Sequence, residues 1–124
     1  MFIFSATNKV RPGKFEAEKA RLPEYFRFLK ENEPRVIAFH EYASEDGTEV
    51  EFVQVHPDVA SFEHHLSVLD ALSDKHWTET LAGTTSARIY GRPSDKVLTM
   101  LDQLAGTGVA VTIMPEHLGG FGRS

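Results

Sequence analysis

The sequence contains no cysteine among its 124 residues. This excludes disulfide bonds, thiolate metal sites, iron–sulfur clusters and cysteine nucleophiles. No apolar run approaches the length needed to cross a membrane. The opening residues, MFIFSATNKV, have no basic region before their short apolar stretch, so they do not predict a secretory signal. We therefore expect a cytoplasmic protein with no membrane partner.

The net charge is also unfavourable for nucleic-acid binding, because it is −5 with a pI of about 5.6. The basic residues concentrate early in the chain, at Lys9, Arg11, Lys14, Lys19 and Arg21. Three glutamates alternate with them, at Glu16, Glu18 and Glu24. This mixture of signs is typical of a solvated helix face, so we expect no nucleic-acid partner.

The most informative segment is EVEFVQVHPDVASFEHHL, residues Glu49 to Leu66. Its first half alternates as a strand does, but both faces carry large apolar residues, so neither face is suited to water. Pro57 ends the strand because it has no N–H to donate. Asp58 can then cap a helix that presents Val59, Phe62 and Leu66 on one side.

The remaining periodicities predict an α+β fold with a ferredoxin-like βαββαβ order. The predicted elements are strand Phe2–Val10, helix Phe15–Asn32, strand Val36–Tyr42, the strand of the segment above, a helix from Asp58 to about Thr80, and strand Thr84–Tyr90. Pro23 should kink or split the first helix, and the second could break near Asp70. The Asp46-Gly47 pair predicts a hairpin turn.

A C-terminal extension, residues 94–124, follows the ferredoxin-like part, residues 1–93, within one compact domain. Ser94 or Asp95 can cap its helix, and Val109–Met114 reads as a fifth strand before an extended arm. We expect the fifth strand to cover a sheet edge and favour the partner's sheet over its own.

The strand–Pro–Asp–helix segment, ending in FEHHL, resembles the antibiotic biosynthesis monooxygenase family of dimeric α+β barrels, over roughly Phe2 to Gly91. The resemblance implies a homodimer and a small aromatic ligand held between the helices and the sheet. Many family members oxidise such a ligand with dioxygen and without metal or flavin. The resemblance therefore implies no cofactor and no metal.

The residue pattern supports a homodimer independently of the resemblance. Two helices can cover only one face of a four-stranded sheet. The other face would expose some of a set of large apolar residues: Ile3, Ile37, Phe39, Val53, Val55 and Ile89. A monomer rarely exposes such a patch, so two copies packed sheet to sheet are expected.

Three residues are candidates for catalysis: Asn8, His65 and His76. Asn8 matches an asparagine of haem-degrading relatives and could orient a ligand, or it could simply serve the following turn. His65 and His76 are eleven residues apart, which on one unbroken helix would separate them by roughly 16 Å. A helix break is therefore required before both can approach one cavity. His64 should point into solvent, and each histidine could instead have no catalytic role.

Four further residues are candidates for substrate binding. His40 and Tyr42 share a strand face and would bind substrate if that face lines the pocket. Trp77 could stack on a ring or simply close the core. Arg88 could hold a carboxylate or phenolate, or lie exposed on its strand.

We predict a cofactor-independent monooxygenase that acts on a phenolic or quinol-like aromatic. The first alternative is a non-enzymatic ligand-binding or stress-response protein on the same scaffold, since the fold hosts both. The second is a haem-binding or haem-degrading monooxygenase. Compared with haem-degrading relatives, however, the sequence has His65 at the tryptophan position, His76 displaced by about one residue, and Trp77 after it.

Overall fold

The computed structural model describes residues 1–72 and 76–123, without the side chains of residues 71, 72, 76 and 77. The elements are β1 (Phe2–Val10), α1 (Phe15–Asn32), β2 (Ala38–Ala43), β3 (Glu49–His56), α2 (Val59–Leu72), α3 (His76–Thr80), β4 (Leu81–Tyr90), α4 (Asp95–Gly106) and β5 (Ala110–Met114). Apart from the division of the second helix, this is the predicted βαββαβ order with an αβ extension.

The strands form one five-stranded sheet in the order β2-β3-β1-β4-β5. Central β1 pairs antiparallel with β3 and β4, and β2 pairs antiparallel with β3. Only the β4–β5 pair is parallel, because α4 returns the chain to the same end of the sheet. The ferredoxin-like α+β fold is therefore confirmed.

The helices pack on one side of this sheet, which we call the helix face; the opposite side is the outer face. Directly paired residues point to the same side, so the register assigns residues to rows across the helix face. The first row contains Phe39, Gln54, Phe4 and Ile89. The second contains Glu41, Phe52, Ala6 and Ala87, and the third contains Ala43, Val50, Asn8 and Thr84.

The core lies between α2, α4 and the central strands. Its buried residues are Phe2, Phe62, Ile89, Val97 and Leu101. The Phe62 ring lies 5.3 Å from that of Phe2 and 4.7 Å from that of Phe4, measured between centroids. Because α4 supplies two of the five buried residues, the C-terminal extension is part of the packing that holds the sheet.

Two predicted helix caps are present as hydrogen bonds. The Oδ1 atom of Asp58 accepts the Ser61 N–H at 3.0 Å, and the Ser94 hydroxyl accepts the Val97 N–H at 3.3 Å. Each bond satisfies a donor that the first turn of the helix leaves free. The cap at Asp58 fixes where α2 begins, and therefore fixes the direction in which its histidines point.

Four predicted boundaries differ from the structure. Helix α1 runs unbroken through Pro23, which is exposed. The backbone hydrogen bond that proline cannot donate is therefore lost without ending the helix. Strand β2 begins at Ala38 instead of Val36, and β4 begins at Leu81 instead of Thr84. Helix α2 continues past Asp70 to Leu72, and helical structure resumes at His76.

The fifth strand pairs with β4 of its own chain, so the preference for the partner's sheet is wrong. The reason is α4: once Val97 and Leu101 pack in the core, the following strand is carried to the free edge of β4. The arm after Met114 forms no helix or strand over residues 115–123, and its Leu118 and Phe121 are 97% and 87% exposed.

Within the two ranges that the structure describes, no helix is both long enough and apolar enough to span a bilayer.

Candidate functional site

A histidine–carboxylate pair lies in the helix–sheet interior. The Nδ1 atom of His65 on α2 lies 2.8 Å from each carboxylate oxygen of Glu33, which follows α1. Both side chains are almost completely buried. A carboxylate can only accept, so Nδ1–H donates and the lone pair of the neutral ring is on Nε2. Glu33 thereby orients His65 in the way that a general base is oriented in hydrolases.

Aromatic rings surround this pair. The His65 ring lies 5.6 Å from Phe39, 6.2 Å from Phe62 and 6.2 Å from His56, measured between centroids. The stacked arrangement with Phe62 and the tilted one with Phe39 hold the imidazole from two sides. The base therefore sits in a dry, largely apolar environment, where electrostatic effects are stronger than in water.

A second buried histidine forms a hydrogen-bonded chain beside the first. His56 contacts the Gln54 side-chain oxygen through Nε2 at 3.0 Å and the Ser61 hydroxyl through Nδ1 at 2.7 Å. If Nε2–H donates to Gln54, Nδ1 accepts from Ser61, and every polar atom is satisfied by a neutral ring. Burial, with a smaller contribution from the neighbouring His65, lowers the pKa of His56 to about 4.

This depressed pKa makes stability depend on acid. The folded state resists protonating His56, so stability is unaffected above the ordinary pKa of 6.5 and falls as the pH drops from 6.5 towards 4. The loss is expected to reach about 3 kcal/mol. Urea unfolding at several pH values should therefore show a flatter acid dependence in His56→Gln than in the wild type. Exposed His64→Gln is the control, and equal slopes for wild type and His56→Gln would rule this origin out.

Asn8 lies in the third row of the helix face and is buried. Its Oδ1 accepts the Thr84 hydroxyl at 2.7 Å, whereas its Nδ2 makes only a long contact of 3.4 Å with the Ala6 carbonyl. The amide nitrogen therefore retains donor capacity. It does not cap the Pro12-Gly13 turn in this structure, although a turn role was one of the two interpretations of the sequence.

A buried polar cluster joins α1, β2 and α3. The Glu18 carboxylate accepts two hydrogen bonds from Arg21, at 2.6 and 2.8 Å, and one from the Thr80 hydroxyl at 2.6 Å. Although burial opposes it, these bonds hold the pKa of Glu18 below its usual value. Glu18 is only 1% exposed, so the prediction that it belongs to a solvated helix face is wrong.

Glu41 faces this cluster from the second row of the helix face. Burial raises the pKa of Glu41 to about 9, and the adjacent Glu18 carboxylate contributes to the rise. Two carboxylates in one low-dielectric site cannot both ionise, and Arg21 compensates Glu18. Glu41 is therefore a neutral carboxylic acid at pH 7. Its Oε1 atom is buried and has no hydrogen-bond partner in the described part of the chain.

An open cavity, which we call the edge cleft, lies between the C-terminal half of α1 and edge strand β2. Its volume is about 690 Å³. It is lined by Phe26, Leu29, Lys30, Glu33, Pro34, Val36, Ile37, Ala38, Phe39 and His40. Glu33 and Phe39 also contact His65, so this cleft leads from solvent to the wall behind the histidine–carboxylate pair.

The predicted binding residues are dispersed. His40 lines the edge cleft, whereas Tyr42 is 65% exposed and lines a shallow hollow of about 310 Å³ on the other side of the sheet. Arg88 is exposed on the outer face, where it pairs with Ser5. Tyr42 and Arg88 therefore do not point into the helix–sheet interior of their own chain. The side chains of His76 and Trp77 lie outside the described residues.

Sequence reasoning identified His65 but missed its partner Glu33, as well as Glu18 and Glu41. Glu33 precedes Pro34, so it was interpreted only as the end of a helix. The spacing of Glu18 and Arg21, three residues apart on a helix, was the one available signal of a paired buried carboxylate. As predicted, His64 is exposed. Among the described residues, no three histidine or acidic side chains converge as a metal site would require.

No protein-family model and no curated protein match this sequence. Solved structures do match its fold. MupZ from Pseudomonas fluorescens aligns over 98% of this chain and 93% of its own, with a TM-score of 0.72 at 16% identity. Protein SO0527 from Shewanella oneidensis aligns over 72% of this chain and 87% of its own, with a TM-score of 0.57 at 22% identity.

A putative antibiotic biosynthesis monooxygenase from Chloroflexus aurantiacus aligns over 71% of this chain and 88% of its own, with a TM-score of 0.55 at 16% identity. The alignment with MupZ covers 98% of the chain, so it includes α4 and β5. The alignment with the Chloroflexus protein covers only 71% of the chain. These identities are low, so the likeness concerns architecture. The chain has the fold of the antibiotic biosynthesis monooxygenase structures, with a C-terminal helix and strand added to it.

Proposed function

We propose that this protein is a homodimeric, cytoplasmic monooxygenase that oxidises a phenolic or quinol-like aromatic with dioxygen and needs no metal, flavin or nicotinamide. The observation that carries the proposal is the buried Glu33–His65 pair, which sets a proton acceptor among aromatic rings on the helix face. Structures with this fold that bear the name antibiotic biosynthesis monooxygenase support the reaction class.

The reaction balances without an external reductant. A phenol and dioxygen give a quinone and water: one oxygen atom enters the ring, the other leaves as water, and the substrate supplies all four electrons. His65 takes the hydroxyl proton through Nε2, which makes the phenolate electron-rich enough to reduce dioxygen. A carbon–oxygen bond then forms. When the O–O bond of the resulting peroxide breaks, the C–H bond at the oxygenated carbon breaks too, and the distal oxygen leaves as water with that hydrogen and the proton held by His65.

On the helix face, such a substrate could contact His65 at one end and Asn8 at the other. Ala6 and Ala87, in the second row, carry only methyl groups and separate the Phe4 row near His65 from the Asn8 row. Phe4 and Asn8 are four residues apart on β1, roughly 13 Å. Asn8 would orient the oxygenated intermediate from its end. A substrate that touches both ends needs two or more fused rings. His76 as a second base and Trp77 as a stacking plate remain part of this proposal.

The test is oxygen uptake against a panel of hydroquinones and fused-ring phenols, before and after dialysis against a chelator. The proposal expects protein-dependent uptake with at least one fused-ring phenol, unchanged by the chelator. Uptake that returns only with added iron or haem would favour the haem alternative instead. A panel with no protein-dependent uptake would favour the non-enzymatic binding protein.

The homodimer is proposed from the outer face. Ile3 and Val55 are directly paired there, and Val53 lies two residues before Val55 on β3. All three are only half-buried within one chain, and Met114 at the far edge is 51% exposed. Two residues counted among the candidates for this face, Phe39 and Ile89, lie on the helix face instead. The alternation of residues along a strand predicts which side chains share a face of the sheet. It does not predict which of the two faces the helices cover. Ile37 precedes β2 and lines the edge cleft, so the apolar residues left on the outer face are Ile3 on β1 and Val53 and Val55 on β3, with Met114 on β5.

Val53→Asp is expected to convert the dimer into monomer or aggregate, because it would place two unpaired charges near the two-fold axis in a buried interface. Light scattering during size exclusion should report about twice 13.9 kDa for the wild type. Leu98→Asp, an apolar-to-acid change on α4 at a 38% exposed position, is the matched control and should remain dimeric. A wild type that is monomeric at micromolar concentration would contradict the assembly.

A further inference from the structure

The edge cleft has the size and composition of a small-molecule site. Its volume of about 690 Å³ falls within the range of natural ligand pockets, roughly 300–1,000 Å³. Five of its residues, Phe26, Leu29, Val36, Ile37 and Phe39, are large and apolar, and only three carry ionisable side chains. Ile37 is 59% exposed although it is large and apolar. A predominantly apolar cavity with a few placed polar groups is the usual form of a ligand site.

The edge cleft is separated from His65, the proposed base, by the ring of Phe39. Phe26 and Phe39 form its aromatic wall, with ring centroids 5.6 Å apart, and the other side of Phe39 meets His65 at 5.6 Å. Glu33 lines the same cavity while its carboxylate holds the His65 ring. A ligand in the cleft would therefore be in contact with the residues that position the base.

The charges in the cleft favour an anion at its mouth. Both oxygens of Glu33 are bound to His65, and Glu33 is 3% exposed, so its charge is turned inward. Lys30 is exposed at the rim and takes part in no ion pair within the described residues. His40 also lines the cleft, and its ring nitrogens can take part in hydrogen bonds. Among the described residues that line the cleft, Lys30 therefore supplies the ammonium that can meet an anionic ligand.

We propose that the edge cleft binds an aromatic molecule that carries a carboxylate, with its ring against Phe26 and Phe39 and its carboxylate at Lys30. This inference goes beyond the proposed function, because the cleft lies on the Glu33 side of the His65 ring whereas the proposed proton acceptor is Nε2; the cleft is a second aromatic site beside the one on the helix face. The carboxylate fixes the orientation of the ring, and the ring presents its hydroxyl towards the wall formed by Glu33 and Phe39.

The test uses two probes that differ only in the carboxylate, 2,5-dihydroxybenzoate and hydroquinone, titrated by calorimetry under argon. Wild-type protein should bind the acid at least tenfold more tightly than hydroquinone. Lys30→Met should abolish this preference, while Lys19→Met, on the exposed side of α1, should keep it. Ile37→Trp should fill the cleft and weaken both probes at least tenfold, whereas Leu98→Trp on α4 should change neither.

Several results would overturn the proposal: no binding of either probe, equal affinity for both, or a preference that survives Lys30→Met. Because the titration is anaerobic, it does not depend on turnover. If Ile37→Trp does not alter the Kd of either probe, the probes do not bind in the cleft, whether or not the wild type oxidises phenols. If the probes bind as described and no phenol is oxidised, the cleft stands and the monooxygenase does not.

Discussion

Replacing His65 with alanine is expected to lower the turnover of an accepted phenol by about a hundredfold or more, because a positioned general base contributes on the order of 10²–10⁴ to rate. The Nε2 lone pair that Glu33 directs into the interior is lost with the ring. The same substitution opens a space the size of an imidazole. Added imidazole should therefore restore part of the activity, which a purely structural role for His65 would not allow. Steady-state oxygen uptake with and without added imidazole measures both the loss of turnover and its rescue.

His64→Ala is the natural control, since its side chain is exposed and its Nε2 contacts the backbone carbonyl of Asn32. It should retain wild-type turnover. Circular dichroism and size exclusion must show that His65→Ala remains folded. If a folded His65→Ala keeps more than half of the wild-type rate, His65 is not the base. If the rate is lost but imidazole restores none of it, the residue supports the pocket without accepting the proton.

Replacing Glu41 with glutamine is expected to stabilise the protein at pH 7 by about 3 kcal/mol. Burial and the Glu18 carboxylate raise the folded-state pKa of Glu41 to about 9, from an ordinary value of 4.5. Stability is therefore full below pH 4.5 and is lost as the pH rises towards 9, because the unfolded chain ionises freely while the folded chain holds the proton. Glutamine never ionises and can donate an N–H to Glu18 in place of the shared proton.

The pH dependence distinguishes this effect from better packing. The stability gain of Glu41→Gln over the wild type should vanish near pH 4.5, and should exceed its pH 7 value at pH 9. Urea unfolding at pH 4.5, 7 and 9 measures the difference, with exposed Glu24→Gln on α1 as the control. A gain that is constant across these pH values, or a loss at pH 7, would mean that Glu41 is not held as a neutral acid.

The sequence predicted the architecture because the relevant signals are local. Alternation and 3.6-residue spacing are set by neighbouring residues, and they gave β1 and α1 with the bounds that the structure has. Caps act over three residues, so Asp58 and Ser94 could be assigned without knowing the fold. His64 was assigned to solvent from the same helical spacing, and it is exposed.

The site was less predictable because its contacts join distant parts of the chain. Glu33 and His65 are 32 residues apart, and Thr80 and Glu18 are 62 apart. A glutamate on an amphipathic helix is nearly always solvated, so nothing local marked Glu18 as buried. On β2, alternation grouped His40 with Tyr42 but could not say which side the helices would cover. The helices cover the side of Phe39 and Glu41, which leaves Tyr42 exposed.

The most direct test of the proposed reaction is the mass of the product formed from an accepted phenol under ¹⁸O₂, with rapid quenching to limit exchange with water. The account predicts one labelled oxygen atom in each quinone molecule and the second labelled atom in water. A product without label, or with label from H₂¹⁸O instead of dioxygen, would contradict a monooxygenase and would leave the Glu33–His65 pair to a reaction that does not use oxygen.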